Sequence, residues 1–209
     1  MTDGRARLGL ALLSALAGTG CVLPEPVNYE PAPSQAADQA PMIEATSPAD
    51  HVVQSQQSMG SVANRGCYVE VALDQVEDDD LSANLAARFY VNESNPAVQA
   101  PLAQYPIFFG SGAAGASASS DIALTIASED TPSLRQLYPP KRIELDPLAA
   151  EGLLAPLPAD GSPGEPNYLE VFVSDGFDPT TYAPKPAPGR AVTSTFWFLD
   201  LTACDPRVP

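Results

Sequence analysis

The stretch YLEVFVSDGFD, residues 168–178, places Leu169, Val171 and Val173 on one parity and Tyr168, Glu170 and Phe172 on the other. Successive side chains of a strand point to opposite faces, so this period of two reads as a strand with one face on a core. The same period recurs outward from it in both directions. Cys67, Val69, Val71 and Leu73 alternate with Tyr68, Glu70 and Ala72; Leu85, Ala87, Phe89 and Val91 alternate with Ala86, Arg88 and Tyr90. Ile122, Leu124 and Ile126 follow the rule, Ile143 and Leu145 flank Glu144, and Trp197, Leu199 and Leu201 alternate with Phe196, Phe198 and Asp200. A proline-bounded strand from Met42 to Thr46 opens the series, and Tyr105 to Phe109 adds a further one, while only LAAEGLL after Pro147 looks helical. Seven or eight short strands joined by Pro- and Gly-rich connections predict an all-β fold, a single antiparallel β-sandwich.

The N-terminus carries a different signal. Arg5 and Arg7 precede an apolar run from Leu8 to Ala17 and the small residues Gly18, Thr19 and Gly20, the order of an export signal. The run is about half the ~20 residues that a membrane-spanning helix needs. Cys21 follows directly, and this junction resembles the lipobox of bacterial lipoproteins, whose cysteine is acylated and becomes the new N-terminus. Gly18 stands where such motifs usually carry Leu; an ordinary secretory signal with a stray cysteine is the alternative. The resemblance implies a signal over residues 1–20, a lipid-anchored disordered tether over 21–40 and a folded domain over 41–209. Val22, rather than Asp, after the cysteine implies the outer membrane of a bacterial envelope, facing periplasm or cell surface. The tether, rich in Pro, Ala, Gln, Ser and Glu, spans roughly 25 Å as a flexible coil. The chain has three cysteines; with Cys21 assigned to lipid, Cys67 and Cys204 remain as one disulfide pair, since no CxxC or Cys/His spacing suggests zinc.

A formal net charge of −16, with no cluster among the ten Lys and Arg, disfavours nucleic acid and anionic headgroups as partners. Gly110-Ser-Gly112-Ala-Ala-Gly115 satisfies G-x-G-x-x-G, with Asp130 about twenty residues on, yet a Ser/Ala loop and a strand follow where a dinucleotide site needs a helix. The one histidine, His51, lies in a polar stretch, and no activated serine accompanies it. Asn92-Glu-Ser94 fits a glycosylation acceptor, which an exported bacterial protein matches by chance.

The pieces CYVEVALDQVEDDDLSANLAARFYVN (67–92), YLEVFVSDGFD (168–178) and STFWFLDLTAC (194–204) resemble strands B–C, F and G of bacterial immunoglobulin-like domains of the PKD or cadherin-like kind. Residues 95–165 have no counterpart. In such a fold the start of B and the end of G share one pole, which Cys67 and Cys204 occupy. The B–C and F–G loops share the other pole, the tether's, and bring Asp74, Asp78, Asp79 and Asp80 near Asp175 and Asp178. Clustered carboxylates are oxygen ligands for calcium, although the spacing matches no EF-hand loop and no other cofactor is implied. Strands C, F and G lie side by side, so the parity opposite the core predicts an outward aromatic face of Arg88, Tyr90, Tyr168, Phe172, Phe196 and Phe198, suited to a protein or glycan partner. The functional expectation is a noncatalytic, lipid-anchored binding or adhesion module. The alternatives are a structural envelope scaffold and a hydrolase using paired carboxylates.

Overall fold

The structure is a computed structural model and describes residues 39–58, 66–80, 84–93, 106–107, 119–156 and 164–207. The signal, Cys21, the tether up to residue 38, the Gly110–Gly115 motif, Tyr105, Phe108 and Phe109 lie outside the described residues. In chain order the strands are β1 (Met42–Ser47), β2 (Val52–Gln54), β3 (Gln56–Gln57), β4 (Cys67–Glu77), β5 (Ala86–Val91), β6 (Ile122–Ala123), β7 (Thr125–Ser128), β8 (Thr131–Gln136), β9 (Lys141–Glu144), β10 (Tyr168–Ser174) and β11 (Val192–Asp200), with one helix, α1 (Leu145–Ala150).

The strands form two sheets. The first runs β1-β4-β8-β7, with β3 beside β1 and β9 beside β8 along the long β4; the second runs β2-β11-β10-β5-β6. All pairings are antiparallel except that of β2 with β11. The sheets face each other across one core, in which Val69, Val71 and Leu73 of β4 meet Phe89, Leu169, Val171 and Trp197 of the second sheet. These are the residues that the alternation assigns inward. Burying an aliphatic or Phe side chain of this kind contributes roughly 1.5–3 kcal/mol, which is why their parity, rather than propensity, sets the register. Trp197 is fully buried, and its indole N–H is satisfied by the carbonyl of Pro48 at 3.1 Å.

More strands are present than the sequence suggests because several runs break and change partners. The chain leaves β1 in the first sheet, passes Pro48 to His51, and joins β11 in the second as β2. The run from Ile122 likewise splits into β6, beside β5, and β7, beside β8. In β4 the pairing with β1 is irregular around Asp74 and Gln75; both are exposed, and the inward position slips from Leu73 to Val76. A β-bulge does this by adding one residue to one strand. Leu145, expected at a strand end, opens α1, whose Leu145 and Leu148 are buried and whose last turn closes at Gly152 (φ 74). Glycine adopts that left-handed conformation without penalty.

Cys67 begins β4 and Cys204 follows β11, and the two form a disulfide with Cα atoms 5.6 Å apart. Met42, where the chain enters β1, is paired with Glu77 at the opposite end of β4. The bridge therefore ties the two sheets together at the pole away from the entry.

Candidate functional site: the outer face and open edge of the second sheet

Strand parity does point Arg88, Tyr90, Tyr168, Phe172, Phe196 and Phe198 away from the main core, but most of this face is covered. Tyr90, Phe172, Phe177 and Val192 form a second small core, with Tyr90 and Phe172 edge to face at 5.3 Å between ring centroids. The cover is the proline-rich connection between β10 and β11. Tyr90 Oη donates to the Tyr182 carbonyl at 2.7 Å, and Arg88 Nη1 lies 3.4 and 3.5 Å from the carbonyls of Thr181 and Ala183. The Arg88 guanidinium sits 4.3 Å over the Phe177 ring. It also grips Asp121 with two hydrogen bonds, Nε to Oδ1 at 2.5 Å and Nη2 to Oδ2 at 3.2 Å. Burial opposes its charge, but the Asp121 hydrogen bonds and charge outweigh that and hold the guanidinium above its ordinary value. Burial likewise works against the charge of Asp121, and bonds from Arg88 and Ser120 hold it below the usual carboxylate range.

The expected open aromatic face is thus corrected. Arg88, Tyr90 and Phe172 are buried at 5%, 0% and 1% exposure because the loop packs on them, and Tyr168 is buried as well. A solvent-facing row of aromatics costs more than ordering a loop over it, and here Phe177 provides the lid. Phe196 and Phe198 alone of the six stay half-buried. They form a three-ring cluster with Tyr168, at centroid distances of 5.1 to 5.9 Å, in tilted or edge-to-face arrangements that aromatic quadrupoles favour.

His51 extends that cluster. Its ring lies 6.3 Å from Phe196, its carbonyl accepts the Phe198 N–H at 2.8 Å, and its Nδ1–H donates to the Phe196 carbonyl at 2.9 Å. With φ at 56° it turns the chain from β1 into β2. It is a strand-edge histidine bonded to backbone. Beside it, between β1 and the first half of β11, lies a groove of about 370 Å³ lined by Met42, Glu44, Thr46, His51, Thr193 and Thr195 among others. Sequence reasoning missed this groove, since nothing in a single strand tells which of its edges will lack a neighbour.

The acidic residues do not assemble into a cation site: among the described residues no three His, Cys, Asp or Glu side chains are placed to hold a metal. Asp74 sits exposed at the irregularity in β4. Asp78 Oδ1 accepts the Asp80 N–H, Asp178 Oδ1 accepts the N–H and hydroxyl of Thr180, and Asp175 pairs with Arg190. Those carboxylates serve their own turns. Asn92 is fully buried, its Nδ2 donating to the Leu153 carbonyl and to Asn167 Oδ1 and its Oδ1 accepting the Tyr168 N–H, so the folded chain presents no glycan acceptor there.

Comparison with protein-family models, with curated proteins and with solved structures finds no match to this chain.

Proposed function

We propose that this chain is a noncatalytic partner-binding module of a bacterial envelope. In this reading an immunoglobulin-like sandwich is held by acylated Cys21 at a membrane, the outer membrane by the residue that follows, and engages a protein or glycan through the second sheet. The strand orders β1-β4-β8-β7 and β11-β10-β5 support the immunoglobulin-like assignment, because they correspond to the A-B-E-D and G-F-C orders of such domains. The disulfide supports the anchor indirectly: Cys67 and Cys204 satisfy each other and leave Cys21 without a partner in its own chain. The observation that carries the binding role is the half-open ring cluster of Phe196 and Phe198 beside the β1–β11 groove. Aromatics next to a concave surface are the anchors that interfaces favour.

The test combines two measurements on the chain produced in a bacterial envelope. Mass spectrometry of the mature N-terminus is expected to find a diacylated or triacylated Cys21. Photo-crosslinking from position 195 is expected to give one discrete adduct, lost when Phe196 and Phe198 are both changed to Ser without loss of the folded state. An unmodified Cys21 overturns the anchor. The absence of a discrete adduct, or one indifferent to the double change, overturns the binding role.

A further inference from the structure

We infer that the open edge of β11 takes up an extended basic segment of a partner as an added strand, a mode of binding that rests on the partner-binding reading above. β11 pairs with β10 along its length from Val192 to Phe198, whereas on the other side β2 covers only Phe198 to Asp200. The bonds around that short pairing fix which backbone groups face outward. The Phe198 N–H goes to His51 and the Phe196 carbonyl accepts from His51, both on the β2 side, while the Leu199 N–H goes to the Asn167 carbonyl on the β10 side. In a strand with antiparallel pairing these directions alternate residue by residue. The N–H of Phe196 and both the N–H and C=O of Ser194 therefore point out of the sheet beside the groove, and no described residue bonds to them there.

That edge is unpaired because the chain crosses to β2 only at Pro48–His51: among the described residues no strand pairs with β11 beside Ser194, and the groove separates it there from β1. It also lacks the devices that blunt other edges. Native edges are protected by charge, proline, bulges or shortness. β2 and β6 are three and two residues long, and the pairings of β1 and β7 both show register irregularities. Thr193-Ser194-Thr195 carries neither charge nor proline, and its residues pair with β10 in unbroken register.

Charge selects the occupant. The groove contains Glu44 and no Lys or Arg, and the chain as a whole carries a net −16. A strand with Lys or Arg at its ends and small β-branched residues between them meets both the backbone groups and the field. An acidic strand would meet like charge.

The experiment uses the chain from residue 21 onward with Cys21→Ser, which keeps every described residue, and a Thr/Val nonapeptide with terminal lysines. Amide NMR is expected to show the Ser194 and Phe196 N–H resonances moving downfield and exchanging more slowly with peptide at about 1 mM. The same peptide with glutamates in place of lysines is expected to bind at least about tenfold more weakly. A peptide N-methylated on one edge should not bind at all. Ser194→Pro removes an N–H that β10 does not use and is expected to abolish binding; Ser194→Lys, which leaves the backbone intact, is expected to weaken it. Shifts at Ser194 and Phe196 that grow with protein concentration in the absence of peptide would make the occupant a second copy and overturn the proposal. So would equal binding of the glutamate peptide, or no shift at those two amides. If the envelope crosslink from position 195 persists in that last case, strand addition is wrong and the partner-binding reading stands; if it is also missing, both fall.

Discussion

Cutting the Cys67–Cys204 bridge isolates what the topology asks of a single covalent bond. The two cysteines are 137 residues apart, so the bridge closes a loop that holds β4 to β11 and α1. In the chain-entropy account a loop of that size costs the unfolded chain about 5 kcal/mol of freedom at 25 °C. On the folded side the cut changes little, because both ends are held independently. The Cys67 N–H donates to Asp146 Oδ2 at 2.6 Å, and the Cys204 N–H donates to Ser55 Oγ at 3.1 Å. Replacing the buried Cys67 by Ala removes one small buried atom, worth about 1 kcal/mol. The double change Cys67→Ala and Cys204→Ala, in a Cys21→Ser background, is therefore expected to lose about 4–6 kcal/mol, most of the roughly 5–15 kcal/mol that a domain has. Urea unfolding should show the lower midpoint together with a steeper slope, since an uncrosslinked chain exposes more surface when it unfolds. A loss under about 1 kcal/mol at unchanged slope would refute the reasoning, because the unfolded chain would then already keep these ends together.

Phe172→Ala should cost about 3–5 kcal/mol in urea unfolding, as for a fully buried ring, and Phe198→Ala about 1 kcal/mol or less; equal losses would mean that the two rings are equally enclosed. Asn92→Ala strands the Tyr168 N–H in the interior and places Ala at φ 55, so a loss of about 2–4 kcal/mol is expected by thermal and urea unfolding. Burial first, and the nearby charge of Glu170 second, raise the Glu93 carboxyl above its ordinary value. A raised acid favours the folded state while protonated, and that contribution is lost as pH rises through the folded value. Glu93→Gln is accordingly expected to raise the urea midpoint at pH 7 and to lose that advantage as the pH falls below about 4.5, the ordinary value; a gain that persists at pH 3.5 would exclude the electrostatic cause.

The inward half of the fold was legible because its residues repeat a simple rule. Val69, Val71, Leu169, Val171, Val173, Trp197 and Leu199 are core residues where period two puts them. The rule failed where chemistry and parity part. In β8 the buried residue is Arg135 rather than Leu134, β2 is too short to show a period, and β3 is two exposed glutamines. The outer face failed for a different reason: alternation tells which side of a sheet a side chain takes, and it does not tell what lies over that side. One clue was nevertheless present. All seven residues of β10 are buried, and their sequence, Tyr-Leu-Glu-Val-Phe-Val-Ser, is apolar or aromatic on both parities except at Glu170 and Ser174. A strand that is apolar on both faces is one that is covered on both faces. In β11 only Val192 at the start is buried, and Thr193, Ser194 and Thr195 after it are all half-buried. Coverage follows the reach of the β10–β11 loop: Phe177 closes over Tyr90, Phe172 and Val192, the first residue of β11, whereas Ser194, the next outward position, carries no apolar surface to draw a further lid. On the proposed strand-addition reading, that gap in the cover at Ser194 is where a partner strand would meet backbone groups that β10 does not use.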